Sequence, residues 1–431
     1  MAQKRRPTRI RTATSCSQTC CSAKTASWMF IKHLSLSNFR NYRSAEIALQ
    51  PGISLLLGPN GQGKTNFVEA IRYLSSLSSH RVAGYQALIR RGAEGEQEST
   101  ALVRAIASHQ ERDVLLELEL NAASQNKARI NKSDVPRVRD ILGYVNTVTF
   151  APEDLDIVRR DPTERRQFID ELVVQVWPRF AGVYADYDRV LKQRNSLLKS
   201  ARATGTVGAA LSTLDAWDAS LVKYGAEIMA ARVDLVKRLQ PHVFAAYQAI
   251  AQANNEPRVR IKSSILSAGL VEDEDFAGDG AANAAEGAAL VELPEDRAQI
   301  EDLFHVKLSE VRQKELERGI TLVGPQRDDL TLMLGTLPVK GYASHGESIS
   351  YALALRLASI ELLKAETRSG DPILILDDVF AELDEGRRER LAGLIAANEQ
   401  VFITAADTAD IPKSLKMTQF DVQGGVIESH D

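Results

Sequence analysis

Eight residues, Gly58-Pro59-Asn60-Gly61-Gln62-Gly63-Lys64-Thr65, restrict this chain more than any other stretch. They follow the apolar run Ile53 to Leu57. Phe67, Ala70, Ile71, Leu74 and Leu77 come next, spaced along one face of a helix. Strand, glycine-rich loop and helix with the pattern G-x4-G-K-T predict a phosphate-binding loop. Its glycines let successive backbone N–H groups turn towards phosphates, Lys64 reaches the β and γ phosphates, and Thr65 offers its hydroxyl to Mg²⁺. The bland reading is a glycine turn ahead of a helix.

A second motif completes the first. Ile373-Leu374-Ile375-Leu376 ends in Asp377-Asp378, a buried strand that delivers acids at its C-terminal end. Asp377 is expected in the Mg²⁺ shell, and Asp378 is placed to orient or deprotonate an attacking water. Adjacent acids also occur at ordinary turns, but over 300 residues separate this pair from a loop that needs an acid. The two motifs must meet at one ion. The N- and C-terminal segments are therefore expected to form one sheet, with the helical middle as an inserted lobe.

Composition sets the remaining bounds. The 431 residues are 44% hydrophobic and 26% charged, as in globular proteins of two or three domains. No apolar run approaches the ~18 residues of a membrane span. The first 28 residues hold six Lys or Arg and no Asp or Glu, so the formal charge of −4 becomes −10 once they are set aside. All three cysteines, Cys16, Cys20 and Cys21, lie there as well. The body thus has neither disulfides nor thiolate metal sites, which fits a reducing cytoplasm. This leader has the composition of a transit peptide and lacks the apolar centre of a secretory signal. We read it as an over-extended reading frame or a disordered tail, with folded sequence from Met29.

Phe30–Ser37, a strand ending at Leu49 and Ile53–Leu57 are expected to place a sheet edge under the loop, and further strands fall near Ala101–Ala107 and Val114–Leu120. Glu164–Arg202 and Ala209–Ile250 read as long helices parted by a linker at Gly205–Gly208, giving an antiparallel hairpin or small bundle. Leu214, Leu221, Ile228 and Leu235 form its heptad seam. Pro178 and Pro241 predict kinks or breaks. Residues 272–296 hold nine Asp or Glu and no Lys or Arg, and read as a disordered acidic insertion. A helix over Ala298–Arg318, a strand with Leu330, Leu332 and Leu334, a helix over Glu347–Glu366, and a last helix and strand ending at Thr404 follow. The expected division is a leader 1–28, α/β halves 29–160 and 319–431, and a helical lobe 161–318.

Ala343-Ser344-His345-Gly346-Glu347 precedes the penultimate helix. Ser and Gly at a helix N-terminus can hold an anion, and equally serve as an N-cap that needs no ligand. Arg159, Arg160, Arg165, Arg166, Arg189, Lys192, Arg194, Lys199 and Arg202 crowd the first inserted helix and its approach. They could contact nucleic-acid phosphates without sequence preference, or form a solvated face.

Together these features resemble the ABC ATPase head of the SMC type: split nucleotide motifs, a Ser344-x-Gly346 signature, the acid pair, and Ala381-Glu382-Leu383-Asp384 in the place of the D-loop. More narrowly the chain is similar to the RecF family of bacterial proteins. The likeness runs through Leu36-Ser37-Asn38-Phe39-Arg40-Asn41-Tyr42, Ser79-His80-Arg81 and Phe150-Ala151-Pro152-Glu153-Asp154-Leu155 with Arg165-Arg166. Gly324-Pro325-x-Arg327-Asp328-Asp329, Glu382-Leu383-Asp384 and Arg387-Arg388 continue it, and only the leader and the acidic insertion fall outside.

The resemblance implies an α/β ABC-type ATPase head built from N- and C-terminal segments with an inserted α-helical lobe. Two copies would sandwich two ATP molecules with Mg²⁺. Arg40, Gly58 to Thr65 and Asn66 of one chain hold the nucleotide, Ser344 and Gly346 of the other cap the γ-phosphate, and Asp384 lies in the D-loop. It further implies slow, DNA-stimulated hydrolysis with Asp378 as base. The ATP-dependent dimer binds double-stranded DNA at single-strand gaps and, with RecR and RecO, helps load RecA in replication, recombinational repair and the SOS response. This sequence departs from the pattern at His345, Glu347 and Gln326. Thr404-Ala405-Ala406 offers no switch histidine, and Glu153 stands as a candidate for the switch-glutamine loop. The rival from another class is the ATP-hydrolysing subunit of a transporter, against which stand the helical insertion and the missing histidine.

Overall fold

The computed structural model describes residues 29–430 apart from 80, 83, 93–96, 110–111, 205–207, 253–254, 268–291 and 368, and apart from the side chains of 208–212. The leader 1–28, His80, the linker 205–207 and the stretch 272–291 therefore lie outside the described residues.

The central sheet has the order β15 (Val426–Ser429), β14 (Met417–Gln423), β3 (Gly52–Leu57), β13 (Gln400–Ala405), β12 (Ile373–Asp377) and β8 (Thr147–Phe150). Every neighbouring pair is parallel except β14–β15. Residues 373 to 376 are each 0% exposed, as a strand covered on both faces requires. Their side chains alternate between two cores. Leu374 and Leu376 pack with α3 (Pro162–Val176), α7 (His345–Glu366) and α8 (Glu385–Ile395), whereas Ile373 and Ile375 pack with α1 (Lys64–Ser76). The N- and C-terminal segments thus share one sheet, as expected.

A second sheet, of order β2 (Tyr42–Ala48), β1 (Met29–Phe39), β4 (Thr100–His109), β5 (Arg112–Asn121), β6 (Lys127–Ile130) and β7 (Ser133–Asp134), is antiparallel throughout. This corrects one expectation, because β1 and β2 do not share a sheet with β3. β1 finds a long antiparallel partner in β4, with Leu34, Leu36, Val103 and Ala105 facing the same core as α1. The hairpin β14–β15 was not anticipated beyond Thr404. In β14 only Phe420 and Val422 are buried, too short an apolar pattern to stand out.

The lobe is built from α4 (Phe180–Thr204), α5 (Gly208–Ala251) and α6 (Arg297–Arg318). Ion pairs Arg194–Asp218 and Arg179–Glu227 converge in number along α4 and α5, which makes them antiparallel. Leu214, Leu221, Ile228 and Leu235 are all at most 1% exposed. At 44 residues α5 is about 66 Å long. Residues up to Met229 belong to the lobe's core, and Ala231 to Ile250 belong to the core behind the central sheet. One helix therefore fastens the lobe to the head. Tyr247 of α5 meets Tyr351 of α7 with ring centroids 5.9 Å apart. β9 (Pro257–Lys262), β10 (Asp329–Leu334) and β11 (Leu337–Pro338) form a three-stranded sheet, and a short helix α2 (Leu155–Arg159) leads into α3.

Pro178 separates α3 from α4, but Pro241 lies inside α5 without ending it. Leu239, Val243 and Tyr247, all 0% exposed, hold the helix by packing on both sides of the missing N–H. The last residues of the acidic insertion are also ordered. Leu293 is buried, and the Asp296 carboxylate accepts from Ala298 N to cap α6. Among the described residues, no helix is long and apolar enough to cross a membrane.

Two of the basic residues expected to reach DNA are core residues. Arg194 is 0% exposed and donates to Asp218 (2.6 Å), Glu315 (2.6 Å) and Thr321 (2.8 Å). Replacing it with Ala would leave Glu315, also 0% exposed, as an uncompensated buried charge. Arg194→Ala is expected to lower stability in urea unfolding by about 3–5 kcal/mol. Arg189→Ala, an exposed site on the same helix, should change it by no more than about 0.5 kcal/mol.

Candidate nucleotide site and basic face

The glycine loop is gripped from two sides. From the β1–β2 turn, Asn41 Nδ2 donates to Gln62 O (2.9 Å) and Tyr42 OH donates to Gly63 O (2.9 Å). From the β14–β15 turn, Gly424 N donates to Gln62 Oε1 (2.7 Å) and Gly425 N donates to Gln62 O (3.1 Å). Gly58 has φ 157°, and a Cβ there would lie 2.3 Å from the Val422 carbonyl oxygen. Gly63, at φ 121°, faces Asn41 and the Tyr42 hydroxyl in the same way. Glycine is required at both positions by close approach as well as by backbone angle. Lys64 is 3% exposed, its ammonium ringed by Gly58 O (2.7 Å), Pro59 O (3.2 Å) and Asn60 Oδ1 (3.3 Å). Gly61 faces open space.

Arg40 and Asn66 border the loop through partners of their own. Asn66 bridges Asn41 and Arg81. Arg40 makes a two-pronged pair with Glu69 on α1 (2.7 and 2.8 Å). Burial would raise the Glu69 carboxyl, but hydrogen bonds from Arg40 and Ser79 outweigh it and hold the group below the usual range. Asn41, Tyr42 and Glu69 were not singled out as site residues. The signal for Asn41 and Tyr42 lay in the Asn38-to-Tyr42 stretch, whose turn reaches the loop, and Glu69 joins through Arg40 of the same turn.

Strand order brings the acids in. β13 stands between β3 and β12 and pairs Thr404 with both Leu56 and Asp377. Thr404 Oγ1 donates to Asp377 Oδ1 (2.6 Å) and accepts from Asp378 N (3.0 Å). Thr65 Oγ1 donates to the same Asp377 oxygen at 3.0 Å. Two segments 312 residues apart thus meet at one carboxylate. Asp377 is 5% exposed, and burial raises its carboxyl, with Asp378 and Glu153 adding to the rise against the Thr404 and Thr65 hydrogen bonds. Burial also raises Asp378, opposed by Lys64, and Asp378 adopts the left-handed conformation at φ 53°. Thr404 escaped the sequence reading because its importance comes from lying between two strands.

Ser344 is the N-cap of α7. Ser344 N and Oγ both donate to Glu347 Oε2 (2.9 and 2.8 Å), and Glu347 N donates back to Ser344 Oγ (3.3 Å). The backbone bond from Ser344 holds the Glu347 carboxyl below the usual range. His345 Nδ1 lies 2.5 Å from Arg159 Nη2. Asp384 is likewise the N-cap of α8, accepting from Arg387 N (2.9 Å). Among the described residues no hydrogen bond joins Ser344, Gly346 or Asp384 to residues 58–65. The site residues therefore fall into two groups within one chain.

The basic face is smaller than expected. Arg165, 5% exposed, is locked to Asp329 by two bonds (2.7 and 2.9 Å) and, like Arg194, is unavailable to DNA. Arg166 is half-buried and donates to Asp328 O and Thr163. Arg189, Lys192 and Lys199 remain exposed on one face of α4, and Arg159, Arg160 and Arg202 are exposed as well.

The grip on the loop can be measured. Tyr42→Phe removes the bond to Gly63 O and leaves a buried carbonyl with one donor fewer, which should lower stability by about 1 kcal/mol in urea unfolding. Gly58→Ala forces backbone out of contact and should cost roughly 1–3 kcal/mol in the same assay.

Comparison with known proteins agrees with this fold. Residues 30–427 match the family described as RecF/RecN/SMC N terminal domain. The RecF protein of Streptomyces avermitilis is 49% identical over 403 residues, covering 93% of this chain and 100% of that protein. That of Frankia alni is 48% identical, covering 93% and 99%. A solved structure of the recombination mediator protein RecF with ATP in the RecFOR pathway superposes with a TM-score of 0.80 at 25% identity, over 95% of this chain and 100% of that one. On these likenesses and on its fold, the chain belongs to the RecF family.

Proposed function

We propose that this protein is an ATP-gated DNA clamp of replication, recombinational repair and the SOS response, which binds double-stranded DNA at single-strand gaps as a dimer. One observation carries the reading: Thr65, Asp377 and Thr404 converge beside the glycine loop, while Ser344, Gly346 and Asp384 form a separate group in the same chain. A site divided in this way is complete when the second group comes from another copy.

In that arrangement the loop amides of Gly58 to Gly63 and the Lys64 ammonium hold the phosphates. Arg40 and Asn66 border the nucleotide, and Ser344 and Gly346 of the second copy cap the γ-phosphate. The Thr65 hydroxyl and the Asp377 carboxylate are hard oxygen donors that fit Mg²⁺, which when bound neutralises phosphate charge. Asp378 orients or deprotonates the attacking water. Hydrolysis is slow and times release from DNA. Arg189, Lys192 and Lys199 of α4, and Arg166 of α3, supply phosphate contacts without base readout. The RecFOR pathway of the solved structure supports partnership with RecO and RecR, and we add RecA as the protein loaded and the cytoplasm as the place.

Light scattering tests the reading. Asp378→Asn with ATP and a gapped duplex should give a complex of two protomers plus the duplex, and one protomer per duplex under those conditions would contradict the clamp. Lys64→Ala should lose nucleotide affinity by about tenfold or more. Ser344→Arg should bind ATP and stay monomeric.

A further inference from the structure

Arg387 and Arg388 lie in the first turn of α8, three and four residues after its N-cap Asp384, and among the described residues neither bonds to the glycine loop or the acid pair. Taken alone, the ion pair of Arg387 Nη1 with Asp384 is an ordinary helix start, an N-cap followed by an i,i+3 partner. The other donors of Arg387 go elsewhere. Nη2 donates to the Gly346 carbonyl (3.2 Å) and Nε donates to Ser350 Oγ (3.2 Å), both on α7 and 41 and 37 residues earlier in the chain.

Gly346 makes this approach possible, since a Cβ there would lie 2.8 Å from Arg387 Nη2. A planar guanidinium points its donors in fixed directions, so acceptors on two elements fix the position of one against the other. Arg388 ties the same turn on its far side, donating to Leu383 O (2.8 Å) and to Asp410 (3.1 Å) in the loop after β13.

We propose that Arg387 is a positioning residue, which locks the N-terminus of α7, with Ser344 and Gly346, to Asp384, so that both segments meet a second copy as one preformed surface. This rests on the reading of the protein as an ATP-gated dimer. Without the lock each segment has to be ordered separately on pairing, which weakens association and leaves the nucleotide's contacts to its own loop intact.

The test uses the full chain carrying Asp378→Asn, alone and with Arg387→Ala or Arg387→Lys. Three quantities are measured: affinity for a fluorescent ATP analogue, the concentration of half-dimerisation with ATP by light scattering, and hydrogen exchange without nucleotide. Arg387→Ala should keep analogue affinity within about twofold and raise the half-dimerisation concentration about tenfold or more. Its exchange should speed up at residues 345–350 as well as 385–388. Arg387→Lys keeps the charge and should restore neither, because an ammonium lacks the fork. Parent-like dimerisation of either variant, or faster exchange confined to 385–388, overturns the proposal. Exchange needs no dimer: a parent chain that stays monomeric counts against the dimer reading, and unchanged exchange at 345–350 counts against the lock.

Discussion

One carboxylate oxygen, Asp377 Oδ1, organises this structure. It accepts from Thr65 at the start of α1 and from Thr404 at the end of β13, so one helix start and two strand ends are brought to one point. The carboxylate is buried, and burial disfavours its charge. Two hydroxyl donors offset part of that cost, and a bound cation would offset more. The strand order β3–β13–β12 places these groups together, and both cores exist to hold that order. The lobe belongs to the same construction, because α5 runs from its core into the one behind the central sheet.

The second group of site residues follows a different logic. Ser344 and Asp384 are both helix N-caps, and each cap is closed by a residue of its own first turn. Two such helix starts carry no information about one another unless something joins them. Arg387 does so through the Gly346 carbonyl, which gives the glycine of the signature a packing reason as well as a ligand-facing one.

What could be read in the sequence was what local pattern determines. The loop at Gly58 to Thr65 and the strand before Asp377 each declare themselves within a dozen or so residues, the heptad of α5 from Leu214 to Leu235, and the fold places them as expected. The errors concern residues whose state depends on distant partners. Arg165 and Arg194 look like any surface arginine, yet Asp329, Asp218 and Glu315 make them core ions. Pro241 reads as a kink or a break, and of the two the break does not occur, because packing of α5 against α7 carries the helix through. The β1–β2 hairpin reads as a neighbour of β3, but its sheet is decided by β4, more than fifty residues later. Thr404 carried no motif, since its role comes from being the strand between.

The central claim is that a working nucleotide site draws its two halves from two chains. Mixing tests it most directly. Lys64→Ala chains and Ser344→Arg chains, labelled with different fluorophores, are each predicted to give no ATP-dependent energy transfer between like molecules. Mixed with ATP and duplex DNA, they can form one intact site, from the loop of the Ser344→Arg chain and the signature of the Lys64→Ala chain, and transfer should appear. Its absence in a mixture where the parent chain pairs, or its appearance in either variant alone, would contradict the account.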